Sequence, residues 1–319
     1  MTRGITVDEI AAAADRLRGR IVRTPVRRSE WLSHQTGGDV HCKLEIVQPT
    51  GSYKIRGAFN AARQVAARTT DGRLVTASAG NHGRALAHAA RELGLPLTVF
   101  IPSNAPRAKV DAIRAAGAEL RPCADYDEAE RDAKRWAAAG HGLFISPYSH
   151  ADVIAGAGTI GLELLEDVPS LDAVVVPVGG GGLISGVGLA VRARSPSTRV
   201  IGVEVAASCP FTRSLAAGRL VTVDVAPSLA DGLTGNLDPD TITFDLVRGV
   251  VDEIVVVDEP ALRDALAGVV SNEHLIVEGA AAAAVAALTS GKIDVKGRRA
   301  VVILTGANID TATLLRVLC

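Results

Sequence analysis

The chain predicts an α/β fold of two domains, each an open, mostly parallel sheet flanked by helices. Three observations carry that prediction. At 319 residues the chain is long enough for two domains with separate cores. Short β-branched runs alternate with stretches of helical period along nearly its whole length. Those runs are apolar throughout and do not alternate with polar residues, as in parallel strands covered by helices on both faces.

The elements follow in order. "TVDE" sets Thr6 and Glu9 at capping-box spacing before an alanine-rich helix to Leu17. Strands are predicted at "LVTAS" from Leu74, "LTVFIP" from Leu97, "AELRPC" from Ala118 and "LFISP" from Leu143. All but the last run almost directly into helical stretches such as "NHGRALAHAARELG" and "APRAKVDAIRAAG". The pattern resumes with "AVVVPV" from Ala173, "RVIGVEV" from Arg199, "EIVVVDE" from Glu253 and "RAVVILTG" from Arg299, with an alanine-rich helix from Gly279 to Leu288. No long linker intervenes, and the boundary is placed near "SPYSH", Ser146 to His150. Residues 51–147 then form a small, mobile domain, and residues 1–50 with 148–319 a larger one that includes the first strand and the N-terminal helix.

Composition excludes several functions. Lys+Arg total 34 against Asp+Glu 35, a net charge of −1, so no face is built for nucleic acid. The N-terminal "MTRGITVDEIAAAADRLRGR" is charged throughout and lacks a signal-peptide core, which predicts a cytoplasmic protein. The uncharged run from Ala173 to Val191 is interrupted by Pro177 and Gly179 to Gly182, and reads as strand, loop and helix, not as a membrane span. Cys42, Cys123, Cys209 and Cys319 are scattered without a C-x-x-C pair, which argues against a zinc site or a disulfide framework.

Ligands of parallel sheets sit at the carboxyl ends of strands, so the loops after strands are where chemistry is expected. In "GSYKIRG", Gly51 permits a tight turn and Lys54 falls in the first turn of a helix. A cation there opposes the helix dipole, which favours the neutral, nucleophilic amine of a Schiff-base lysine. A solvated surface lysine is the plain alternative. In "ASAGNHG", Ser78, Asn81 and the exposed amides suit a carboxylate or ring oxygen, although Asn81 also suits a simple N-cap. "VPVGGGGLISG" opens a helix with four glycines, whose unobstructed amides suit a phosphate. It is no clean dinucleotide fingerprint, since Ser185 stands where G-x-G-x-x-G needs glycine or alanine, and no lysine follows as a P-loop requires. Glu204, ending the next strand, is the one feature that keeps a dehydrogenase open. In "LTGANID", Thr305 is either a turn residue or the partner of a buried heteroatom.

An imine-forming lysine, a phosphate cradle, an amide and a hydroxyl on separate strand ends are what pyridoxal phosphate needs. "GSYKIRGA", "SAGNHG", "GGGGL" and "TGAN", in this order, resemble the threonine/serine dehydratase and serine racemase family, the fold-type II pyridoxal phosphate enzymes. The resemblance implies that Lys54 binds the cofactor aldehyde and then acts as base at the substrate Cα. It places Tyr53 against the ring, Asn81 on the 3′-oxygen, Gly179, Gly180, Gly181, Gly182 and Leu183 at the phosphate, and Thr305 at the pyridine nitrogen. Ser78, Ala79, Gly80, Asn81 and His82 would receive the substrate carboxylate. The implied reaction is β-elimination of water from L-threonine or L-serine, releasing a 2-keto acid and ammonia, in a homodimer.

Two departures qualify the resemblance. Ala79 replaces the second acid/base serine of the racemases, which implies poor racemase activity. Glu204 stands where relatives hold a divalent cation, but "AASCP" supplies no second carboxylate. The alternatives are a lyase of this scaffold for another 3-hydroxy amino acid, such as hydroxyaspartate, phenylserine or hydroxyectoine-derived material, and a non-catalytic ligand-binding protein.

Overall fold

The computed structural model describes residues 5–68, 72–103, 105 and 107–319. Among them ten strands form: β1 (Val26–Arg28), β2 (Asp39–Leu44), β3 (Leu74–Ala77), β4 (Leu97–Pro102), β5 (Glu119–Cys123), β6 (Leu143–Phe144), β7 (Ala173–Pro177), β8 (Arg199–Val205), β9 (Glu253–Val257) and β10 (Arg299–Leu304). Every predicted strand is present; β1 and β2 are additional. They carry Arg, Asp, His and Lys among their few residues, so the apolar pattern did not reveal them.

The chain divides into two compact units, residues 1–22 with 48–157 and residues 23–47 with 158–319. The sheet of the first unit has the order β5-β4-β3-β6, all neighbours parallel. That of the second has the order β1-β2-β10-β7-β8-β9, parallel except for the β1–β2 pair. The expected α/β architecture of mostly parallel sheets is therefore what the chain forms.

The division differs from the predicted one at both ends. The N-terminal helix Val7–Leu17, predicted to join the larger domain, belongs to the first unit. Its stripe of Ile10, Ala13 and Leu17 is buried, and Leu17 shares a core with Ile55 and Phe59. Arg16 Nε donates to Asn60 Oδ1 at 2.7 Å, fixing the helix against helix Lys54–Arg68. The helix begins as its sequence predicts, with Glu9 N–H donating to the Thr6 hydroxyl and Thr6 N–H to the Glu9 carboxylate. At the other boundary, Ser146 to His150 lies inside the first unit, and the division falls within helix Ala151–Asp167.

The second unit's core packs β-strand residues such as Val175, Ile201 and Val302 against the helix Gly279–Thr289. Alanine along that helix keeps each contact small and close. The uncharged run from Ala173 is divided between β7 and helix Gly182–Arg194, and among the described residues no helix is long and apolar enough to cross a membrane.

Candidate functional site

In the first unit, the loops after β3 and β6 leave the carboxyl ends of adjacent parallel strands, since Leu74 pairs with Leu143 and Val75 with Phe144. Lys54 is the first residue of helix Lys54–Arg68, as predicted. Its Nζ donates to the Pro147 carbonyl at 2.7 Å and stands 5.2 Å from the centre of the Tyr53 ring. No carboxylate pairs with it among the described residues. Lys43 shows the contrast: its buried ammonium is neutralised by Glu163 at 2.6 Å. Held by a carbonyl in place of a carboxylate, the Lys54 amine is suited to covalent chemistry with an aldehyde. Beside it the Ser52 hydroxyl is buried with no hydrogen-bond partner.

The Ser78–Gly83 segment closes tightly onto the start of helix Asn81–Leu93. Gly80 is the N-cap and makes no side-chain cap; Asn81 is the first helical residue, so it is not the N-cap that the sequence also allowed. Ser78 Oγ accepts the Gly80 N–H at 3.2 Å. Gly83 must be glycine, because a Cβ there would lie 2.0 Å from the Ser78 carbonyl oxygen. Among the described residues the amides of His82 and Gly83 at this helix start have no acceptor.

His82, expected among the residues that receive the substrate carboxylate, has a buried side chain whose partner the sequence did not announce. Its Nε2 lies 3.2 Å from the Ile145 carbonyl, which also accepts the Thr76 hydroxyl at 2.8 Å. A carbonyl only accepts, so Nε2 carries the proton and Nδ1 is bare, buried and unpartnered. Burial, then the nearby Lys54 ammonium, push this imidazole down to about 3 from an ordinary 6.5. Between those values the native protein binds fewer protons than the unfolded chain, so the stability is full above about pH 6.5 and is lost as pH falls toward 3. Lowering the pH from 6.5 to 5 should therefore cost about 2 kcal/mol and several degrees of melting temperature through this one group. Thermal melts of wild type and His82→Gln over that range check it; parallel pH slopes would refute it.

The second unit carries the remaining residues. β10 pairs in parallel with β7, and β7 with β8, so Thr305, the glycine loop and Glu204 stand at the carboxyl ends of three neighbouring strands. Gly181 is the N-cap of helix Gly182–Arg194, with φ 82° and no side-chain cap. Among the described residues the amides of Gly180, Gly181, Gly182 and Leu183 have no acceptor, and no acidic residue stands in the first turn. A helix start of this kind suits an anion in both geometry and field. Thr305 is 3% exposed and its hydroxyl has no partner among the described residues.

Glu204 is fully buried, with Oε1 accepting the Phe211 N–H at 2.8 Å and Oε2 the Thr212 N–H at 2.8 Å and hydroxyl at 2.6 Å. Burial raises its pKa, opposed by these three donors. Sequence reasoning also missed Thr243 and Phe211, which surround the glycine loop, and the Ile145–Pro147 carbonyls facing His82 and Lys54. The only signal of the last was the polar "SPYSH", which read as a boundary.

Residues 17–306 match the family model described as pyridoxal-phosphate dependent enzyme. The chain belongs to that family. It is 40% identical to the L-threonine ammonia-lyase of Thermotoga maritima over 98% of this chain and 78% of that protein. It is 39% identical to the L-threo-3-hydroxyaspartate ammonia-lyase of a Pseudomonas species, over 95% of each chain. Among solved structures, maize serine racemase superposes with a TM-score of 0.91 at 34% identity, covering 98% of this chain and 97% of that one. Among the described residues, those present fit the family's cofactor: an amine without a carboxylate partner, a helix start with vacant amides, and a hydroxyl without a partner on the largely buried Thr305.

Proposed function

We propose that this family member is an ammonia-lyase that converts L-threonine, L-serine or both to the 2-keto acid and ammonia by eliminating water. The observation that carries the reading is the Lys54 amine, half-buried at a helix start with a carbonyl as its one hydrogen-bond partner among the described residues. The likeness to an L-threonine ammonia-lyase along 98% of the chain supports the substrate.

Pyridoxal phosphate, when bound, supplies an aldehyde for amines and a conjugated ring that delocalises the electron pair left at Cα. Lys54 would hold the cofactor and, once displaced by the substrate amine, take the Cα proton, with the Pro147 carbonyl orienting its Nζ. Tyr53 would lie against the ring, and Asn81 would bond the ring 3′-oxygen. Ser78, Ala79, Gly80, Asn81 and His82 would receive the substrate carboxylate through hydroxyl, amide and backbone N–H groups. Gly179 to Leu183 would hold the phosphate. Thr305 would meet the ring nitrogen with a neutral hydroxyl, which leaves that nitrogen unprotonated and favours elimination over transamination.

Ala79 carries no proton, so racemisation should be slow beside elimination. Glu204 commits both oxygens to the first turn of helix Pro210–Ala217, which supports a capping role over a cation ligand. The resemblance to the family supports a homodimer in the cytoplasm.

The test is release of 2-keto acid and ammonia from L-threonine, L-serine and L-threo-3-hydroxyaspartate by the reconstituted yellow protein. Equimolar release, fastest from L-threonine or L-serine, is expected. Activity on hydroxyaspartate alone would move the substrate to the second reading, which the Pseudomonas likeness favours. A protein that takes up no cofactor would overturn both.

A further inference from the structure

A helix start with vacant amides binds an anion well only if its N–H groups already point at one place. A glycine run is the backbone least able to hold such an orientation by itself, because glycine loses the most conformational freedom on ordering. Something outside the run must fix it.

Two buried side chains, Thr243 and Phe211, pack against Gly181 and do so. Thr243, the first residue of helix Thr243–Val250, is 0% exposed, and its hydroxyl donates to the Gly180 carbonyl at 2.8 Å. Its one proton is thereby used, so the 2.8 Å contact with the Thr241 hydroxyl has Thr241 as donor. The result is a relay from Thr241 to Thr243 to Gly180, in which each bond polarises the next. An added Cβ at Gly181 would lie 2.5 Å from Phe211 Cζ and 3.1 Å from Thr243 Cβ, so the ring and the threonine together close off the space beside this residue. The Phe211 backbone is in turn held by its N–H bond to the buried Glu204.

The peptide between Gly180 and Gly181 is trans, so its C=O and N–H point in opposite directions. Fixing the carbonyl on Thr243 therefore also fixes where the Gly181 N–H points. We propose that Thr243 is a positioning residue for cofactor binding: by holding the Gly180 carbonyl, it turns the Gly181 N–H toward the phosphate. This rests on the reading of the glycine loop as the phosphate cradle.

The experiment compares dissociation constants of pyridoxal phosphate and of pyridoxal, which lacks the phosphate, for wild type, Thr243→Val and Thr243→Ser. Valine keeps the shape and removes the donor; serine restores it. In Thr243→Val the affinity for pyridoxal phosphate should fall about three- to tenfold, the worth of one buried hydrogen bond, while pyridoxal binding is unchanged. The phosphorus-31 resonance of the bound cofactor should move in the same variant, and Thr243→Ser should restore both. A general loss of structure would weaken both ligands together. If Thr243→Val does not fold, the same ratio is read on Thr241→Val, which removes the donor behind Thr243 and should shift it in the same direction. Wild type preferring the phosphorylated ligand, with the preference intact in the valine variants, would overturn the positioning role alone. Wild type with no such preference would overturn the cradle reading and the positioning role with it.

Discussion

Replacing Lys54 with alanine should leave a folded, colourless protein whose turnover of L-threonine is at least about a thousandfold below wild type. Two roles vanish with one amine: the covalent hold on the cofactor and the base at Cα. The fold should survive, because among the described residues the side chain's single hydrogen bond runs to a carbonyl and no ion pair is broken. Alanine also suits the first residue of helix Lys54–Arg68. Lys54→Arg sharpens the test. The guanidinium keeps the charge and reaches the same carbonyl, but it stays protonated and cannot form the bond to an aldehyde. Equal losses in both variants would show that the nucleophilic amine matters and not its charge. Absorbance near the visible, melting temperature and 2-keto acid release together check the prediction; a Lys54→Ala protein that still turned over would sink the mechanism.

The parts of this molecule that the sequence made legible are those in which a local pattern has one physical explanation. Uniformly apolar runs such as "AVVVPV" and "RAVVILTG" had only a doubly covered parallel strand to become, and β7 and β10 are such strands. Thr6 and Glu9 sit at a spacing with a single capping geometry, and the helix starts there. The four loops stood out because glycine, lysine and amide residues are concentrated where strands end. What stayed hidden depends on residues far apart in the chain. Nothing near Arg16 says that Asn60 will receive its guanidinium, so the N-terminal helix was assigned to the wrong unit. Nothing in "TITF" says that the Thr243 hydroxyl will meet a carbonyl across a gap of 63 positions. Pro147 contributes through its backbone carbonyl, which every residue has, so no side-chain pattern can announce it.

The second large effect should come from Gly181→Ala. Two penalties fall on one added methyl. The residue has φ 82°, where an L side chain costs about 1–2 kcal/mol by its own backbone sterics. Its Cβ would also lie 2.5 Å from Phe211 Cζ and 3.1 Å from Thr243 Cβ. Phe211 is fully buried, with its backbone N–H held by Glu204, so the ring has little room to withdraw. The loop should yield instead, scattering the amides that converge at the helix start. Affinity for pyridoxal phosphate is expected to fall about a hundredfold or more, with roughly 2–4 kcal/mol lost in stability. Gly249→Ala is the matched control, since nothing lies within 4 Å of its added Cβ; the affinity should hold. A double variant separates the penalties. Phe211→Leu alone leaves a smaller side chain under the loop, and combined with Gly181→Ala it should recover part of the lost affinity, because the steric contact is relieved while the backbone strain stays. Losses that simply add would mean that the ring does not constrain the loop, and that the left-handed backbone alone explains why glycine stands at position 181.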